Sequence, residues 1–128
     1  MASTILVKEY REIGWELLDG LSDAGFEVQG AYWQYLPDSE SWRLHLVTPL
    51  RDRVGSNAAY TQLQEIINKM SEEVRDEFSV MSVTLVSPDS KQAKELRERY
   101  GVVEENRARV RRISLDYDEA YLYFLQAA

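Results

Sequence analysis

The sequence has 128 residues, with 15 Lys and Arg against 22 Asp and Glu, which gives a formal charge of −7. Its 45% hydrophobic and 29% charged residues are typical of a globular chain, and the length fits a single domain over residues 1–128. The lack of Cys excludes disulfides, thiolate zinc sites and thiol nucleophiles, and a single His excludes a multi-His metal centre.

The sequence shows no signal for a membrane or for secretion. No apolar run approaches the roughly 18 residues that a membrane span needs. Residues 1–10 are apolar only briefly before charges begin, so we do not predict a signal peptide. We therefore expect a cytoplasmic protein without membrane contact, and no residue pattern calls for a cofactor or a metal.

The first predicted element is a helix over residues 4–24. Apolar residues recur there at steps of three and four, from Leu6 to Ala24. Gly14 and Gly20 interrupt the pattern, and each costs a helix about 1 kcal/mol relative to Ala. Gly14 can instead serve close packing against a neighbouring element.

A hairpin follows this helix. Residues 26–36 alternate and are rich in β-branched and aromatic side chains, residues 37–40 favour a turn, and residues 41–48 form the return strand. The outgoing strand carries Tyr32 on one face and Trp33 on the other. This pattern indicates either a strand covered on both sides or one exposed aromatic face.

Two helices, a strand and a second hairpin complete the chain. They are a helix over 56–78 capped by Ser56, a strand over 79–86, a helix starting at Ser87-Pro88-Asp89 and ending at Tyr100-Gly101, and strands over 109–115 and 120–126. The order α-β-β-α-β-α-β-β is too irregular for a doubly wound fold. It predicts an α+β fold, with a mixed, largely antiparallel sheet of about five strands packed with three helices.

Two positions are weak catalytic candidates. His45 is the conventional proton shuttle near neutral pH, and it shares a strand face with Arg43. No nucleophile or carboxylate is placed beside it by the sequence, so a structural His is the competing interpretation. Asp118 lies with Asp116 and Glu119 in an acidic cluster that could hold Mg²⁺. Because Asp is favoured in turns, we interpret this cluster as the turn of the last hairpin.

Four arginines are candidates for binding an anion. Arg51 and Arg53 come just before a predicted helix N-terminus, where backbone amides favour negative charge, but we favour a solvated loop as the explanation. Arg109 and Arg111 share one face of a predicted strand with Arg107 and could contact phosphates. A charged edge strand gives the same pattern, and we favour it because the acidic chain lacks long-range attraction for nucleic acid.

Aromatic residues crowd both hairpins and suggest an interaction surface. Trp33 and Tyr35 lie in the first hairpin, and Tyr121 and Tyr123 lie in the last. Tyr and Trp are enriched at the centres of protein interfaces, but they are also ordinary strand residues that helices could cover. The apolar segment 121–125 is in addition an expected pairing edge for a homodimer.

The first half of the chain resembles a small family of bacterial proteins of unknown function. The resemblance lies in residues 24–26, 33–35, 41–44 and 48–50, which give a "GF…W-x-Y" strand, a polar turn and a "W-(R/K)-L" strand that ends near a proline. These motifs are structural, so the resemblance implies a bacterial cytosolic protein and carries over no activity.

Two functions follow as hypotheses. The first is a non-enzymatic protein-interaction or accessory module that uses an aromatic sheet surface to bind a protein partner or a second copy of itself. The alternative is an enzyme or ligand-binding domain for a phosphorylated or nucleic-acid substrate. In it the four arginines would contact phosphate, and His45 or Asp118 would have a chemical role.

Overall fold

The computed structural model describes residues 8–78, 82–107, 110–115 and 118–127. The helices in these ranges are α1 (Lys8–Asp23), α2 (Leu50–Val54), α3 (Ser56–Asn68), α4 (Glu72–Glu77) and α5 (Lys91–Tyr100). The strands are β1 (Gly30–Leu36), β2 (Ser41–Val47), β3 (Val83–Val86), β4 (Arg111–Leu115) and β5 (Asp118–Leu125). No helix among the described residues combines the length and the apolar character needed to cross a bilayer.

The described strands form one mixed sheet in the order β3-β2-β1-β5-β4. The β2–β3 pair is parallel, and the β1–β2, β1–β5 and β4–β5 pairs are antiparallel. The predicted α+β fold with a largely antiparallel sheet is therefore confirmed, including both hairpins.

One face of the sheet, here called the three-helix face, packs against α1, α3 and α4. Strand alternation points Trp33, Leu44 and Leu85 to this side, where they join apolar residues of the three helices in one buried cluster. The opposite face, here called the α5 face, carries a smaller cluster in which Ala93 and Leu96 of α5 pack on β1, β4 and β5. The main core thus lies between the sheet and the three helices.

A bulge in β5 directs an extra side chain to the three-helix face. Ala31 pairs with Phe124, whereas the next residue Tyr32 pairs with Leu122, so Tyr123 is the extra residue of β5. Consecutive residues of a regular strand point to opposite faces, but Tyr123 and Phe124 both belong to the three-helix core. The bulge therefore places two consecutive aromatic rings of β5 in this core.

The predicted helix over 56–78 is wrong as a single element. Gly55, with a φ of 88°, ends α2 and occupies the position before α3, so Ser56 does not cap a helix. Ser71 then starts α4, because its side chain accepts a hydrogen bond from the Val74 amide at 3.3 Å.

The predicted start of the third helix is also displaced by three residues. Residues 87–90 form a turn closed by the Ser90 amide and the Ser87 carbonyl at 3.1 Å, with Pro88 as its second residue. Ser90 is the actual cap, accepting from the Ala93 amide at 3.2 Å. The predicted end of this helix at Tyr100-Gly101 is confirmed.

Both edges of the described sheet are blocked by a tyrosine and an arginine. At β3, the Leu85 amide donates to the Tyr60 hydroxyl at 2.9 Å, and Arg51 donates to the Leu85 carbonyl at 3.1 Å. At β4, Tyr100 and Arg99 occupy the Ser114 amide and carbonyl in the same way. Side chains that occupy edge groups oppose strand pairing with another chain.

The sheet order contradicts the expected pairing edge at residues 121–125. These residues belong to β5, which lies between β1 and β4, so both of its sides are already paired. The charged strand β4 is an edge strand, as the arginine pattern predicted.

Candidate binding site on the α5 face

A group of polar side chains occupies the part of the α5 face formed by β1, β2 and β3. We call it the polar strip; its members are Gln34, Arg43, His45, Thr84 and Gln92. In β2, alternation sends Leu44 and Leu46 into the three-helix core and sends Arg43 and His45 to the other side.

Strand register assembles the rest of the strip. Gln34 of β1 pairs with Arg43, and the parallel β3 places Thr84 beside His45. Gln92 of α5 closes the strip from above by donating to the Gln34 side chain at 3.3 Å. Residues from three strands and one helix therefore meet at one place.

His45 is the most deeply enclosed member of the strip. Its side chain is 8% exposed, and its ring stacks on that of Tyr32 with 4.9 Å between centroids and 1° between planes. Neither Nδ1 nor Nε2 has a hydrogen-bond partner among the described residues. Since buried polar groups in proteins are nearly always hydrogen-bonded, an unpaired imidazole calls for an explanation.

Burial keeps this imidazole uncharged at neutral pH. Loss of solvation, and secondarily the positive charge of Arg43, lower the pKa of His45 to about 4. A neutral imidazole has one N–H donor and one acceptor nitrogen. The strip thus contains a buried donor and a buried acceptor that the chain itself leaves unused.

Arg43 is the charged member of the strip and is only partly exposed. Its Nε donates to the Thr84 hydroxyl, which fixes the guanidinium plane. No carboxylate of the described residues forms an ion pair with it, whereas Arg53, Arg99, Arg107 and Arg112 each pair with an acidic side chain. Arg43 therefore carries a positive charge without a counter-charge in the described part of the chain.

An open depression of about 1090 Å³ runs beside α5 and adjoins the strip at Gln92. Three acidic and three basic side chains line it: Asp89, Glu95 and Glu98, and Lys91, Lys94 and Arg99. Gln92 therefore lies where the polar strip meets an accessible surface.

The structure buries the four aromatic residues predicted to form an interaction surface. Trp33, Tyr35, Tyr121 and Tyr123 are each 8% exposed or less, because α1, α3 and α4 cover their face of the sheet. Their prediction as an exposed surface is wrong.

A chain of hydrogen bonds fixes Trp33 and Tyr123 in the core. Trp33 Nε1 donates to the Tyr123 hydroxyl at 2.8 Å, and that hydroxyl donates to the Arg11 carbonyl of α1 at 2.8 Å. Burial raises the pKa of Tyr123, so its hydroxyl stays protonated and remains a donor.

Arg51 and Arg53 lie within α2 rather than in a loop before a long helix. Arg51 donates to the Leu85 carbonyl at the sheet edge, and Arg53 pairs with Glu27 at 3.1 Å. Since both guanidinium groups have partners within the chain, the argument for an anion at this point is lost.

The arginines of the last hairpin do not form a free row either. Arg107 pairs with Asp19 and lies 4.1 Å from the Trp15 ring, and Arg111 lies 5.1 Å from the Tyr100 ring. Arg109 is outside the described residues, as are Asp116 and the side chain of Asp118. Among the residues that are described, no group of three or more acidic or His side chains could hold a metal ion.

The sequence placed Arg43 and His45 on one face, but it did not reveal Gln34, Thr84 and Gln92 as their neighbours. The signal for Thr84 was its alternation with Val83 and Leu85, and the parallel register that brings it to His45 is not readable from sequence.

Comparisons of the chain with family models, curated proteins and solved structures each find no match. The bacterial-family resemblance therefore stays a prediction, and the geometry of the strip carries the functional argument.

Proposed function

We propose that this protein is a non-enzymatic interaction or accessory module whose recognition surface is the polar strip on the α5 face. One observation carries the proposal: a buried imidazole with no hydrogen-bond partner lies beside an arginine with no carboxylate partner among the described residues. Such a pair lowers the stability of the fold, and this is expected where the groups are retained for recognition.

The chemistry of the strip favours binding over catalysis. His45 has no described carboxylate to orient its ring and no activated hydroxyl or amine beside it, as nucleophilic catalysis requires. General bases work best when their pKa is near the operating pH, and a pKa of about 4 makes this imidazole a weak base.

The rest of the described surface offers fewer routes to a partner. Strand addition is opposed at both sheet edges by the tyrosine and arginine caps. Large exposed hydrophobic residues in the described ranges are Tyr10 in α1, Val54 in α2 and Val102 after the end of α5, so they lie in three separate segments of the chain. We therefore infer that the partner is recognised mainly through polar groups.

The competing function is a domain that binds a small phosphorylated ligand. The unpaired charge of Arg43 favours it, because guanidinium groups are well suited to phosphate. The two functions differ in what accompanies the purified protein, a macromolecule or a small anion.

The test is native mass spectrometry of the full chain, gently purified from its host as the wild type, as Arg43→Gln and as Arg75→Gln. Arg75 is exposed on α4, which packs in the three-helix core, so its variant removes the same charge away from the α5 face. We expect a protein partner or second copy with the wild type and Arg75→Gln, and at least a tenfold smaller bound fraction with Arg43→Gln. A complex unaffected by Arg43→Gln, or a bare chain in all three samples, would contradict the proposal.

A further inference from the structure

We propose that Arg43 and His45 together bind an oxyanion, a carboxylate or phosphate group, that the ligand inserts into the polar strip. This inference rests on the proposed function, since it names the chemistry recognised at the same site.

The charge of Arg43 favours an oxyanion as the ligand. A partly buried guanidinium is stabilised by a carboxylate or phosphate that accepts from its nitrogens, and its planar geometry suits two parallel hydrogen bonds. The Thr84 hydroxyl already holds Nε, so the group is oriented before a ligand arrives. Among the described residues no carboxylate pairs with the two terminal nitrogens, which leaves them as donors for the ligand.

The side chains of the strip around Arg43 carry no negative charge. The side chains placed around it by strand register and by α5 are Gln34, Tyr32, Thr84 and Gln92, all of which are uncharged at neutral pH. An anion entering the strip therefore meets Arg43 without repulsion from a described carboxylate in the strip.

His45 adds unused hydrogen-bonding capacity to the strip. Its ring can donate one hydrogen bond, and a buried donor left unpaired costs about 1–3 kcal/mol. An oxygen of the ligand would satisfy this donor. Because both ring nitrogens are shielded in the free protein, the ligand reaches Arg43 first, and side chains above His45 must shift for the second contact.

Access to the strip comes from the side of α5. Gln92 both contacts Gln34 and lines the depression beside the helix, and its bond to Gln34 is long at 3.3 Å. Displacing this weak bond would connect Gln34 to the depression, whose lining also includes the carboxylates of Asp89, Glu95 and Glu98.

The experiment titrates the isotope-labelled full chain with inorganic phosphate and, separately, with acetate at pH 7, while NMR follows the Arg43 Nε and His45 ring signals. Sodium chloride at equal ionic strength is the control. We expect saturable shifts at both residues in the wild type and in Arg75→Gln. The affinity read from the His45 ring in Arg43→Gln, and from Arg43 Nε in His45→Leu, should each be at least tenfold weaker, and the second variant gives a test if the first fails to fold.

The two arms identify the oxyanion. Saturation by phosphate alone indicates a phosphate group, saturation by acetate alone a carboxylate, and saturation by both a site for either. Shifts that do not saturate, or that chloride reproduces, would overturn the inference. If no anion binds but Arg43→Gln still loses a protein partner, the oxyanion inference is wrong and the proposed interaction module is supported. If anions bind but no partner is found, the oxyanion inference is supported and the proposed interaction module is wrong.

Discussion

The two faces of the sheet are built in opposite ways from the same strands. The three-helix face is an apolar core in which Trp33, Leu44 and Leu85 are almost fully buried. The α5 face is covered by a ten-residue helix, and its β2–β3 part holds Arg43 and the unpaired imidazole of His45 together with the buried Val47. Because the three-helix face supplies most of the apolar packing, the α5 face can carry groups that lower the stability of the fold.

The largest expected effect is on the three-helix face. We expect Trp33→Ala to lower the free energy of unfolding by about 3–5 kcal/mol, because it removes a 3% exposed indole and its hydrogen bond to Tyr123. Urea denaturation followed by circular dichroism measures this. A loss below about 1 kcal/mol would mean that Trp33 is not part of the core.

The next effect concerns acid and the α5 face. The pKa of His45 falls from 6.5 when unfolded to about 4 when folded, so the unfolded chain takes up a proton first as the pH drops. This group's contribution is present above pH 6.5 and is lost as the pH falls to about 4, by about 3 kcal/mol in total.

The control for this acid effect is His45→Leu, which retains every carboxylate. The difference in unfolding free energy between wild type and His45→Leu should therefore grow between pH 7 and pH 4. Parallel curves for the two proteins would show that His45 is not buried in a neutral form.

A smaller effect separates two glycines of α1. A methyl group at Gly14 would lie 2.0 Å from the Tyr123 hydroxyl, whereas one at Gly20 would meet the flexible end of Met70. We expect Gly14→Ala to destabilise by about 1–3 kcal/mol through overpacking. Gly20→Ala should be neutral or stabilise by up to about 1 kcal/mol, because Ala is the better helix former. Equal thermal unfolding of the two variants would contradict close packing at Gly14.

The smallest effect on stability is at the sheet edges. Tyr60→Phe and Tyr100→Phe each remove a hydroxyl bound to an edge strand, at a cost of about 1 kcal/mol each. The double variant should associate more strongly with rising concentration in light scattering. Exposed Tyr10 supplies the matched control, Tyr10→Phe. If the double variant and this control scatter alike, the caps do not prevent edge pairing.

Local patterns were enough to predict the order of the five strands and the three longer helices, both hairpins and the end of α5. These features depend on alternation, turn residues and helix-ending glycines that are close in sequence, such as Gly101. The displaced cap at Ser90 was missed because Ser87 is an equivalent capping residue three positions earlier. The break before Ser71 was missed because apolar residues continue at helical spacing across it, from Leu63 to Val74.

The site was harder to predict because it depends on contacts distant in sequence. Trp33 and Tyr35 were interpreted as a surface because nothing local shows that three helices cover them. Arg43 and His45 were paired correctly by alternation. Their neighbours Thr84 and Gln92 are about 40 and about 50 residues away and come near only through the parallel β2–β3 register and the placement of α5.

The stability of His45→Leu at pH 7, measured by urea denaturation beside the wild type, tests most directly whether the three-helix face stabilises the fold while the α5 face serves recognition. If the imidazole is retained for recognition, an apolar side chain of similar size should raise the free energy of unfolding by about 1 kcal/mol or more, since no unpaired polar group remains buried. A loss of 1 kcal/mol or more would show instead that His45 stabilises the fold, and the separation between a stabilising face and a recognition face would be wrong.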